Sequence, residues 1–185
     1  MKIHYVTQNP GKFEEAAKVL EGIALVHTPL QLEEIQGSSR QIAEHKILQA
    51  QSLIHEPCLI DDISLTCPAI GGLPGPYVRA FLETIGDKGL AELISHYEDR
   101  SCQVICHIAY ADEKGQTHLF EGRVDAAIVM PRGKRMAHTH SWNAIVEPKG
   151  YKQTFAEMSL DDAAKISARS KALTQFKNYI LSLSI

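Results

Sequence analysis

The chain has 185 residues, 44% of them apolar and 22% charged, with 19 Lys and Arg against 22 Asp and Glu for a formal net charge of −3. That composition belongs to an ordinary globular protein and excludes disorder as a whole-chain description. No global basic excess exists to drive non-specific nucleic-acid binding, and no apolar run approaches the roughly 20 residues of a membrane span. The opening segment, residues 1–7, is too short and polar for a signal peptide, so a cytoplasmic protein is expected, with neither nucleic acid nor membrane as partner.

Taken in chain order, strand-like and helix-like segments alternate, which argues an α/β fold. Residues 3–7 form a short apolar strand and Asn9-Pro10-Gly11-Lys12 a turn. Residues 13–20 read as a helix with Phe13, Ala16, Ala17 and Leu20 on one face. A second strand spans 23–27. Ser38 and Ser39 can cap a helix over 41–54 whose apolar residues are Ile42, Ile47, Leu48 and Leu53. Residues 58–60 are a buried strand ending at Asp61-Asp62. Residues 69–77 must be a loop, because so many glycines and prolines hold neither a helix nor a ladder. Residues 78–85 and 88–95 look helical. Residues 104–111 and 117–129 are hairpin strands joined at Asp112-Glu113-Lys114-Gly115. A basic loop follows over 132–141, then a helix over 160–183. With no linker or repeat visible, residues 1–185 read as one domain.

Cys58, Cys67, Cys102 and Cys106 have no CxxC spacing, so they read as small buried hydrophobes in a reducing compartment. His138 and His140 are the only tight histidine pair; in a strand they would share a face and could hold a metal, but no acidic or cysteine partner stands within a few residues.

Three features can carry chemistry. Asp61-Asp62, a carboxylate pair at a strand end, is a common way to hold a hard cation such as Mg2+ beside substrate phosphates; helix capping or a turn is the structural alternative. Glu33-Glu34 could join it from a neighbouring segment, or be a solvated loop pair. Thr7-Gln8-Asn9-Pro10-Gly11-Lys12 lies between a strand and a helix, where backbone N–H groups and Lys12 attract anions, although the Walker A spacing is absent. Two basic segments, 132–135 and 165–171, are solvated faces unless they converge on a polyphosphate around a metal.

In this order the pieces resemble the inosine triphosphate pyrophosphatase family, Ham1-like non-canonical purine nucleoside triphosphate pyrophosphatases, over nearly the whole chain. Thr7-Gln8-Asn9-Pro10-Gly11-Lys12-Phe13-Glu14-Glu15 is similar to its T-G-N-x-x-K-x-x-E opening, and Leu59-Ile60-Asp61-Asp62-Ile63-Ser64-Leu65 to its acidic motif. Gly71-Gly72-Leu73-Pro74-Gly75-Pro76-Tyr77 is the most specific match. Met130-Pro131-Arg132-Gly133, residues 148–158 and Ile166-Ser167-Ala168-Arg169 continue it. The resemblance implies an elongated, two-lobed mixed sheet flanked by helices around a central cleft. It also implies a homodimer and a Mg2+-dependent cleavage of a nucleoside triphosphate to monophosphate and pyrophosphate, with hypoxanthine or xanthine as base. By position it makes Asp62 the base that activates water and a metal residue, with Asp61 and Glu34 as further metal residues. Thr7, Asn9, Lys12 and Lys46 line the triphosphate site, Arg79 keeps a cation where many members have lysine, and Arg169 reaches the base. His140 would stack on the base and Trp142 wall its pocket.

The departures cluster. Gln8 replaces a signature glycine, Asn143 a carboxylate that helps hold the base, Ala168 the histidine of S-H-R, and Ala163 a phosphate-binding lysine. Asp61 replaces a glutamate. The metal and water half is therefore kept and the base-reading half altered. A pyrophosphatase is the leading reading; a shifted base specificity, or a catalytically impaired nucleotide-binding protein on the same fold, is the alternative.

Overall fold

In the computed structural model, which describes residues 2–134 and 141–183, the chain is a mixed α/β protein. Its elements are β1 (Lys2–Val6), α1 (Pro10–Val19), β2 (Ala24–Thr28), α2 (Ser39–Ile54), β3 (Cys58–Thr66), β4 (Pro74–Gly75), α3 (Val78–Ser95), β5 (Ser101–Ala111), β6 (Thr117–Ile128), β7 (Val146–Pro148), α4 (Leu160–Ile166) and α5 (Ala168–Ser182). The seven strands form one sheet in the order β2-β1-β3-β5-β6-β7, with β4 paired to β3. β1 runs parallel to β2 and β3, whereas β3–β4 and β6–β7 are antiparallel. No helix among the described residues is long and apolar enough to cross a membrane.

The chain divides into two compact units, one comprising residues 1–63, 106–122 and 168–185, the other 64–105 and 123–167. In the first, successive residues of each strand face opposite ways. Val6, Cys58, Ile60, Ala109 and Ala111 pack with Ala43, Ile47 and Ala50 of α2. Their strand neighbours supply the other face, where Tyr110 and Phe120 meet Phe176 of α5 at ring distances of 5.1 and 5.7 Å. Gly122 lets α5 come close: a Cβ there would lie 2.0 Å from the Ala168 carbonyl oxygen. The second unit buries Leu65, Val78, Leu82, Leu90, Ile94, Val104, Val124 and Phe155.

Several expectations change. Asn9 caps α1, accepting from Gly11 and Lys12 N–H, so residues 10–12 form the first helical turn rather than a free turn. Ala17 is exposed, as are Leu48 and Leu53, at 57% and 59%, because the buried stripe of α2 runs through Ala43, Ile47 and Ala50. β3 does not end at Asp61-Asp62 but continues to Thr66. The Gly/Pro segment does form a ladder, the two residues of β4, at a position where proline's missing donor is tolerated. Ser167, extended at ψ 147°, divides the expected long C-terminal helix into α4 and α5, and β7 was not foreseen. The helices expected over 78–85 and 88–95 meet at Gly86, whose φ of 71° breaks helical geometry.

All four cysteines are buried and free. Burial pushes the Cys58 and Cys67 thiols up to about 11, so both stay protonated near neutrality. His138 and His140 lie outside the described residues.

Candidate active site

The β1–β3 ladder ends at the pair Val6–Ile60. Asp61 and Asp62 are the next two residues of β3, just past the carboxyl end of β1. The chain leaves β1 through α1 on one face of the sheet and reaches β3 through α2 on the other. Open α/β sheets bind ligands at such a crevice, outside the strand ends where the connections diverge.

Adjacent strand residues point to opposite faces, and the two carboxylates have separate partners. Asp61 Oδ2 accepts from Lys12 Nζ and from Arg169 Nε, each at 3.0 Å. Arg169 also donates to Glu15 of α1. Asp62 Oδ1 accepts from Lys46 Nζ at 3.0 Å, and Lys46 also reaches Glu34 Oε1 at 2.8 Å. All of these residues belong to the first unit.

The electrostatics of the two acids differ in sign. Burial works to raise the Asp61 carboxyl, but Lys12 and Arg169 overcome it and hold the group well below the usual range. For Asp62, burial outweighs the attraction of Lys46, and its carboxyl is raised. Lys46 is held above its ordinary value, since Asp62 and Glu34 together overcome its own burial. Burial first, and the Asp61 charge second, push the Tyr5 hydroxyl of β1 well above its usual range.

Local structure explains the placement. Asn9 uses its side chain as a cap and so fixes the first turn that carries Lys12. Thr7 is buried, its Oγ1 accepting from Asn9 N–H at 3.2 Å. Ser38 and Gln41 form a reciprocal capping box that starts α2, two turns before Lys46. The remaining sequence candidates lie in the second unit. Arg79 is exposed and pairs with Glu83 one helical turn on, at 2.8 Å. Trp142 packs edge-on against Phe155, centroids 5.5 Å apart. The Asn143 carbonyl accepts from Ala156 N–H at 3.0 Å. His140 lies outside the described residues. Of the basic segments, Arg132 pairs with Glu147 and Glu157, and Lys165 with Asp162; Arg169 of the second segment reaches Asp61.

Sequence reasoning assigned no role to Glu15 or Tyr5. Glu15 lies three residues beyond Lys12, hence on the same helix face, a spacing that could have identified it. Tyr5 needed the strand register.

The donor chemistry fits a hard divalent cation in part. Two carboxylate oxygens, from Asp62 and Glu34, converge on one ammonium, and magnesium takes oxygen ligands of this kind. Among the described residues, no three His, Cys, Asp or Glu side chains gather as a metal-holding group.

The sequence profile of the Ham1 family matches residues 3–179. The chain is 39% identical over 187 residues to an inosine triphosphate pyrophosphatase of Mycosarcoma maydis, covering 97% of this chain and 95% of that one. It is 38% identical over 183 residues to the protein of that name from Yarrowia lipolytica, covering 97% and 96%. A HAM1 protein from Coxiella burnetii shares the fold at a TM-score of 0.86 with 23% identity, covering 98% of this chain and 99% of that one. A nucleoside-triphosphatase, dITP/XTP pyrophosphatase, from Mycobacterium abscessus matches at 0.72 and 25%, covering 95% and 98%.

Proposed function

Because this chain belongs to the Ham1 family, we propose that it hydrolyses the triphosphates of non-canonical purine nucleosides, such as ITP, dITP and XTP, to the monophosphate and pyrophosphate. The observation that carries this reading is the convergence of Asp62 and Glu34 on Lys46 just beyond the end of β1. A carboxylate whose pKa is raised by burial, beside a cation, suits a base that accepts a proton from water. Lys46 and Lys12 suit the phosphates, with Thr7 and Asn9 shaping the turn that leads into Lys12. Asp62 and Glu34 would hold Mg2+, which when bound supplies charge neutralisation at the phosphates. Arg79, Trp142, Asn143 and His140 are assigned to the substrate by position, and cytoplasmic homodimers fit the same reading.

One observation favours a shifted base preference within this activity. Arg169 is engaged by both Asp61 and Glu15, and the residue before it, Ala168, has no side-chain donor. A purine keto group lacking one buried donor is discriminated about 10- to 100-fold less well. Pyrophosphate release with Mg2+ from ITP, XTP, dITP, GTP, ATP and dUTP, with Asp62→Asn as the blank, tests both points. Release from ITP or XTP that disappears in the variant supports the reading. Release from another nucleotide shows a shifted base. No release from any nucleotide refutes the enzymatic reading and favours a nucleotide-binding protein.

A further inference from the structure

We propose that Asp61 is a positioning residue for the phosphate-binding Lys12 and takes no part in holding the metal. This rests on the pyrophosphatase reading, and it removes one of the three metal residues that family position suggests.

The geometry is specific. Asp61 and Asp62 are consecutive in a continuous strand, so their side chains leave opposite faces of the sheet. The Asp61 side chain is 1% exposed, and its Oδ2 already accepts from two cations at 3.0 Å each. To share an ion with Asp62 it would have to leave both and strand Arg169, whose side chain is 12% exposed, with Glu15 alone. The Lys12 side chain, in contrast, is 28% exposed. The middle of this chain of charges, Arg169 and Asp61, is thus anchored in the interior, and Lys12 at one end of it is partly open to a ligand. The order Glu15–Arg169–Asp61–Lys12 alternates in sign at every step, the arrangement that holds a flexible ammonium in one place before the anion arrives.

Binding of Mn2+, read from its electron paramagnetic resonance signal, tests the proposal without turnover. Asp61→Asn is expected to bind Mn2+ within about twofold of the unaltered protein, while Asp62→Asn weakens binding at least about tenfold. Turnover of ITP is expected to fall about 10- to 100-fold in Asp61→Asn, largely restored in Asp61→Glu, which keeps the charge and controls for misfolding. In a Lys12→Ala background, Asp61→Asn is expected to have little further effect, because it acts through Lys12. Equal loss of Mn2+ by both aspartate variants overturns the proposal, as does full additivity of the Lys12 and Asp61 losses. If Mn2+ binding survives in both variants, the assignment of the cation to Asp62 fails while that of Asp61 is supported.

Discussion

The two faces of β3 treat neighbouring aspartates in opposite ways. On the face of α1 and α5, Asp61 is over-compensated: two cations meet one oxygen, and ionisation is favoured in spite of burial. On the face of α2, Asp62 shares a single ammonium with Glu34, and burial wins. Asp61 is therefore a group whose charge stabilises the fold, and Asp62 one whose charge is tolerated. Functional groups are often those held against the interest of stability, which supports the proposed role of Asp62 in accepting a proton and of Asp61 in holding Lys12.

The comparison breaks most visibly at Asp62. Asp62→Asn is expected to lower kcat by about 100- to 10,000-fold while leaving the melting midpoint unchanged or higher, as steady-state kinetics and calorimetry would measure. A fall in both would mean that Asp62 is structural. Asp61→Asn is expected to have the opposite thermodynamic sign. Removing one partner of a buried ion pair costs about 3–5 kcal/mol, read by denaturant unfolding.

Acid titration sharpens the same contrast. The folded Asp61 pKa lies below its unfolded value of about 3.9, so its contribution is complete above that value and is lost as pH falls toward the folded one. The folded Asp62 pKa is raised, so its contribution is present at low pH and is lost as pH rises through that pKa. Unfolding free energies against pH should therefore lose their steepest acid limb in Asp61→Asn but keep it in Asp62→Asn. For turnover, the acid limb should lie above the ordinary aspartate range.

Smaller effects follow at the edges of the arrangement. Gly122→Ala places a methyl group against the Ala168 carbonyl, and α5 must shift to receive it. Arg169 rides on the next residue, so kcat is expected to fall with the melting midpoint. Lys165→Ala, which removes an exposed pairing with Asp162, is expected to change neither measurably.

Much of this was legible in the residues. Alternating periodicities located most elements, and the Ser38 cap, the Gly86 break and the four thiols behaved as their chemistry dictates. The acidic pair was legible as a site but misread in form. Two adjacent aspartates look like a strand end, since a strand crossing them must neutralise both. The cations that do so come from residues 12, 46 and 169, and a local pattern cannot register partners so distant. The same holds for Ala17, Leu48 and Leu53. Helical spacing gives a periodicity, but which side of the stripe is buried depends on the strands beneath it.

The four thiols have a practical consequence. Cys58 and Cys106 lie in the first unit, Cys67 and Cys102 in the second, and every one is buried. Burial holds all four thiols above their ordinary range, so alkylation must wait for the surrounding structure to open. Timed alkylation followed by peptide mass analysis would therefore clock the opening of each unit separately, with two native reporters in each and no introduced label. A triphosphate that slows modification of the first pair alone would be seen to tighten only the unit that holds the aspartates.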